Sequence, residues 1–95
     1  RRIGADEALR LGLVNEVVEP AALDDAVARW VADILACAPL SLRAVKQMVR
    51  SGAGLSPQDA QRLRLPALVA ALQSADQEEG VRAFVEKRAP RFEGR

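Results

Sequence analysis

Histidine and tyrosine are absent from this 95-residue chain, and cysteine occurs once, at Cys37. Without histidine there is no His-based catalytic triad and no His-ligated zinc, and one thiol cannot build a thiolate metal site. A lone cysteine also rules out an intrachain disulfide and fits a reducing compartment, so a cytoplasmic location is expected. No apolar run approaches the roughly 20 residues that a bilayer-spanning helix needs, and Arg1-Arg2 is followed by polar residues rather than a signal-peptide core. No association with a membrane is expected. Net charge is +1, with 14 basic residues scattered among 13 acidic ones, so the electrostatic footprint of a nucleic-acid binder is missing. The six glycines form neither G-x-G-x-x-G nor a P-loop. Ser41, Ser51, Ser56 and Ser74 stand in helix-start or connector positions outside any G-x-S-x-G context, where serine ordinarily caps.

What is present is alanine, leucine and arginine, all strong helix formers, while strand-associated aromatics make up part of only 3% of the chain. Of the 47 apolar residues, 18 are alanine, leaving 29 larger ones. The length permits one small domain, and this composition gives it a thin core. The chain opens without methionine and enters patterned sequence within a few residues, which is expected of part of a longer protein.

Residues 5–11 (ADEALRL) predict a short helix with Asp6 and Glu7 in its first turn, ended by Gly12 in a left-handed cap. Leu13, Val14, Val17 and Val18 then predict a short extended stretch, read as a strand, up to Pro20. From 21 to 38, Leu23, Val27, Trp30, Val31, Ile34 and Leu35 recur at helical spacing opposite Asp24, Asp25, Arg29 and Asp33. Pro39 interrupts this helix, and a second follows over 41–50, giving a helix–turn–helix pair. Ser56 followed by Pro57 marks the start of a fourth helix, which Pro66 should kink or break. Ser74 with Gln77 three residues on predicts a capping box for a last helix carrying Val81, Phe84 and Val85 and ending near Arg88. The tail 89–95 should run irregularly along a surface with Phe92 as anchor. Adjacent acids at Asp24-Asp25 and Glu78-Glu79 read as helix-start carboxylates rather than a catalytic pair, because neighbours on a helix point in different directions.

Two ordered stretches resemble the enoyl-CoA hydratases and isomerases of the crotonase family. The first is Ala5-x-Glu7-Ala8-x-x-x-Gly12-Leu13-Val14-Asn15-x-Val17, similar to the family's A-x-E-A-x-x-x-G-L-V-[ND]-x-V segment. The second is Ser74-x-Asp76-x-x-Glu79-Gly80-x-x-Ala83-Phe84-x-Glu86-Lys87-Arg88-x-Pro90-x-Phe92, similar to the family's closing motif. Between them, Pro39 with Lys46 seven residues later resembles the family's hairpin. The fourth helix departs from the pattern, since many members carry a glutamate near the position of Arg64.

The resemblance implies a mostly α chain: the helical C-terminal segment of a crotonase-type (ClpP/crotonase) fold, with one short extended stretch near residues 13–18. Residues 1–20 would form a linker helix and short strand, and residues 21–95 a C-terminal helical assembly domain. It implies an acyl-CoA hydratase or isomerase, enoyl-CoA hydratase foremost, acting in fatty or aromatic acid metabolism on an acyl-CoA thioester without a further cofactor. In that family an N-terminal spiral core holds the oxyanion hole and the proton-transferring carboxylates, so no catalytic residue and no metal ligand is assigned to this chain. The helices would pack on that core and on neighbouring subunits in a homotrimer or hexamer. Phe84 and Lys87 match residues that approach the adenine and phosphate end of CoA in several members. Spaced by three, they would share a helix face, where an aromatic surface and an ammonium could meet base and phosphate together. The structural alternative makes Phe84 a core anchor and Lys87 a solvated helix-end cation. A different class of function, a stand-alone helical oligomerisation module without catalysis, would use Trp30, Val31, Leu63 and Leu68 against a partner.

Overall fold

A computed structural model describes residues 1–95, and its regular elements are all helical. They form two compact units, Arg1–Asp33 and Ile34–Arg95. In the first, helix α1 (Ala5–Arg10) has Asp6 and Glu7 in its first turn and Arg10 in its last, each sign placed at the end of the dipole that favours it. Gly12 adopts a φ of +71°. The Leu13 N–H reaches the Ala8 carbonyl at 2.9 Å and the Gly12 N–H reaches that of Leu9 at 3.0 Å. These two bonds are the Schellman closure, which requires a left-handed residue at the position glycine occupies.

Residues 13–18 stay outside the helices, as expected, but form no strand. A strand satisfies its backbone through a neighbour, and this chain supplies no second one. The stretch is tied instead by side chains. The Glu16 carboxylate accepts a hydrogen bond from Trp30 Nε1 at 2.7 Å and pairs with Arg29. After a 3-10 turn (Pro20–Ala22) comes α2 (Leu23–Leu35), whose buried residue is Ala26.

In the second unit, prolines begin helices rather than interrupt them. Pro39, Pro57 and Pro66 stand at the start of α3 (Pro39–Gly52), α4 (Pro57–Gln61) and α5 (Pro66–Leu72). A missing N–H costs nothing there, and the fixed φ is already helical. The helix begun at Ser56 therefore ends at Gln61, and Pro66 opens a separate one. Ser56 is its cap, with Oγ accepting the Asp59 N–H at 3.1 Å. Helix α5 has Leu65 before it, which carries no capping side chain. The Ala67 N–H is met by Gln47 Oε1 of α3 at 3.0 Å.

The principal helix pairing of this unit is α3 with α5, and α6 (Ala75–Glu86) adjoins α5. Buried apolar residues in the whole chain are four alanines: Ala26, Ala44, Ala71 and Ala83. Alanine at a crossing lets backbones approach closely, but it removes little apolar surface from water. Larger side chains, including Val49, Leu72, Val81 and Val85, remain exposed.

Candidate functional site

The polar chemistry of the second unit gathers around α6 and the tail that follows it. Ser74 caps the helix, its Oγ accepting the Gln77 N–H at 3.1 Å and donating to the Ala71 carbonyl at 2.7 Å. One residue inside the helix, the Asp76 N–H donates to the Arg95 carbonyl at 2.9 Å. The end of the tail thus satisfies one of the amides that a helix start leaves open. Asp76 is 2% exposed. Its two carboxylate oxygens accept the Glu93 and Gly94 N–H groups, each at 2.7 Å.

One turn further, Glu79 receives Arg88 as a fork: Nη1 to Oε1 at 2.6 Å and Nη2 to Oε2 at 3.0 Å. The Arg91 N–H also donates to Glu79 Oε1, at 2.9 Å. Hydrogen bonds from Arg88, then from the Arg91 amide, hold the Glu79 carboxyl down to about 2. It is ionised throughout the ordinary pH range and is no proton donor. Gly80 lies under the Phe92 ring, where a Cβ would come within 3.7 Å of Cε1. The adjacent pair Glu78-Glu79, read from sequence as helix-start carboxylates, therefore divides, and Asp76 joins Glu79. Asp76 and Glu79 bind the returning tail, and only the helix-dipole role remains for Glu78.

Between α6 and the tail lies an open cleft of about 790 Å³ whose lining includes Asp76, Glu79, Arg82, Arg88 and Arg91. A smaller apolar groove of about 380 Å³ runs past Ala44, Met48, Leu68, Ala71, Gly80 and Phe92. Phe84 and Lys87 line neither. Phe84 stands in the last turn of α6, and Lys87 is the residue just past its end. Phe84 is 85% exposed, so it is no core anchor within this chain. Lys87 has a φ of +53°, the one non-glycine residue with positive φ. The Lys87 N–H donates to the Phe84 carbonyl at 3.3 Å and the Arg88 N–H to the Ala83 carbonyl at 3.0 Å, a second Schellman closure with lysine in the left-handed place. Lys87 has thus left the helical path. The simple three-residue helix-face relation with Phe84 does not hold, although the two residues are joined through the cap.

Chemically, this arrangement can fix a tail and present an aromatic ring and an ammonium at a helix end. No group of three or more His, Cys, Asp or Glu residues is placed to hold a metal ion, and no helix is long and apolar enough to cross a membrane. Local sequence gave no sign of the carboxylate-to-tail bonds, whose partners lie 12 to 18 residues away.

The model of the enoyl-CoA hydratase/isomerase family matches residues 1–95. The chain is 43% identical over 93 residues to (E)-benzylidenesuccinyl-CoA hydratase of Thauera aromatica, covering 97% of this chain and 36% of that protein. It is 37% identical over 99 residues to carnitinyl-CoA dehydratase of Escherichia coli K12, covering 100% and 38%. Among solved structures, an enoyl-CoA hydratase/isomerase from Mycobacterium paratuberculosis superposes with a TM-score of 0.92 at 32% identity, covering 100% of this chain and 37% of that one. Enoyl-CoA hydratase from Bacillus anthracis gives 0.90 at 29%, covering 100% and 37%. The chain spans little more than a third of the length of these relatives. A family match across all its residues, joined to backbone agreement with solved members, leads to one conclusion: the chain belongs to the enoyl-CoA hydratase/isomerase, or crotonase, family.

Proposed function

We propose that this chain is the C-terminal region of an acyl-CoA hydratase or isomerase, enoyl-CoA hydratase foremost, and that it supplies subunit packing and one edge of the CoA pocket. The observation that carries the second role is the end of α6. A phenylalanine 85% exposed is joined through the helix cap to a lysine at a backbone position where glycine would be less costly. An exposed aromatic beside a cation suits the adenine and phosphate end of CoA, by stacking and by a charge-assisted hydrogen bond.

The exposed apolar residues of α3, α5 and α6 support the packing role, with the spiral core of the same protein and neighbouring subunits of a trimer or hexamer as partners. Acyl-CoA enters as substrate and no further cofactor is invoked. The oxyanion hole and proton-transferring carboxylates belong to the remaining part of such an enzyme. The cytoplasm is its proposed location.

The test is steady-state kinetics of the full-length protein carrying this segment. Lys87→Ala is expected to raise KM for acyl-CoA about tenfold, the worth of one charge-assisted hydrogen bond, with kcat little changed because the contact lies far from the reacting atoms. An unchanged KM removes the CoA role. The alternative, a helical association module without catalysis, draws on the same exposed apolar residues, and a full-length protein with no hydratase or isomerase activity on any acyl-CoA would favour it.

A further inference from the structure

We propose that Glu79 and Arg88 are positioning residues for the nucleotide end of acyl-CoA, acting through Lys87; this rests on the CoA-binding reading of Lys87 above. A left-handed backbone places Cβ of an L residue too close to a neighbouring carbonyl. Lysine holds that conformation only if the surroundings impose it. Of the cap's own two bonds, the Lys87 N–H to Phe84 contact is long at 3.3 Å and the Arg88 N–H to Ala83 bond is ordinary at 3.0 Å.

The residues on either side carry further bonds. Arg88 Nε donates to Glu86 Oε2 at 2.5 Å while its two terminal nitrogens fork onto Glu79. One guanidinium thus ties the residue before Lys87 and the residue after it to a carboxylate two turns back along α6. Glu79 also holds the Arg91 N–H, so the chain leaving the cap is fixed by the same group. The pairing has an electrostatic consequence as well. Glu86 and Arg88 satisfy each other and Glu79, whereas Lys87 enters no ion pair. Its ammonium is left available to an anion, on a backbone that the fork keeps rigid. Bidentate arginine–carboxylate geometry suits this task because it fixes orientation as well as distance.

The experiment is a double-mutant cycle in the full-length protein, with KM and kcat measured on an acyl-CoA and on the matching acyl-pantetheine thioester, which lacks the nucleotide. Glu79→Gln is expected to raise KM for the acyl-CoA about fivefold with kcat within about twofold, since loss of positioning weakens binding common to ground and transition states. KM for the pantetheine thioester should stay unchanged. In the Lys87→Ala background, Glu79→Gln should add nothing further, because its effect passes through that ammonium. Arg88→Lys, which keeps the charge but loses the fork, should reproduce Glu79→Gln and stands in for it should that variant fail to fold.

An effect of Glu79→Gln that is additive to Lys87→Ala, or equal on both substrates, overturns the proposal and leaves the pair a structural clamp. If Lys87→Ala raises KM while Glu79→Gln and Arg88→Lys do not, the positioning role alone falls. If Lys87→Ala itself leaves KM unchanged, the CoA reading falls and this inference with it.

Discussion

Lys87 and Asp76 show how much a single residue decides here. Asp76 is the one ionisable residue that is buried, and its two oxygens and its backbone N–H all engage the tail. A carboxylate is tolerated at such a site because each oxygen is matched by an amide donor. Lys87 is the reverse case, an exposed residue in a conformation that suits glycine. Lys87→Gly should raise the stability of the protein by about 1 kcal/mol, the typical cost of a left-handed L residue, and so increase Tm by a few degrees. On the proposed CoA role, the same variant is expected to raise KM for acyl-CoA as Lys87→Ala would. A fall in Tm would mean that the lysine side chain stabilises the cap by more than the backbone strain it incurs.

At the scale of elements, the helices are short and depend on one another for their ends. Helix α5 has seven residues and α4 five, lengths at which isolated helices are not stable in water. Each is completed differently. Ser56 caps α4 from within its own sequence, while Gln47 reaches across from α3 to the open Ala67 N–H of α5. Gln47→Ala is expected to lower stability by about 1 kcal/mol, as loss of a helix cap does. Gln47→Glu retains an acceptor at a helix start and should keep most of that stability, since the dipole favours a negative charge there. Thermal or denaturant unfolding of the two variants decides the point. Equal loss in both would show that the amide N–H of Gln47, rather than its oxygen, is what matters.

For the molecule as a whole, the decisive fact is what stays uncovered. Four alanines are the buried apolar residues, and Leu35, Val49, Val85 and Phe84 are among the larger ones left exposed. A fully buried large aliphatic side chain contributes about 1.5–3 kcal/mol, far more than an alanine can. The 95-residue chain prepared alone is therefore expected to self-associate with rising concentration and to bind a hydrophobic dye, which sedimentation and fluorescence would register. A monomer with a sharp, cooperative unfolding transition and no dye binding would contradict that expectation. Little more than a third of a relative's length is present, and a surface of this kind suits helices that meet further protein.

The helix boundaries were legible in the sequence because their signals are local. Gly12, Ser56 with Pro57, and Ser74 with Gln77 act through bonds reaching three to five residues along the chain, so residue type and spacing are enough. The family resemblance was legible for the same reason, being carried by two contiguous motifs. Pro66 was legible as a break but not as the start of α5, because the acceptor that completes that start, Gln47 on the Ala67 N–H, lies 20 residues away from Ala67. The tail attachment was likewise hidden. Asp76 and Glu79 look like ordinary helix-start acids until the chain turns at Lys87 and brings the amides of 91, 93 and 94 back to them. Charge and helical periodicity determined that a polar last helix would form. Only the return of the chain, a long-range event with no local spacing rule, decided which of its carboxylates hold the tail and that Lys87 would stand in a left-handed turn.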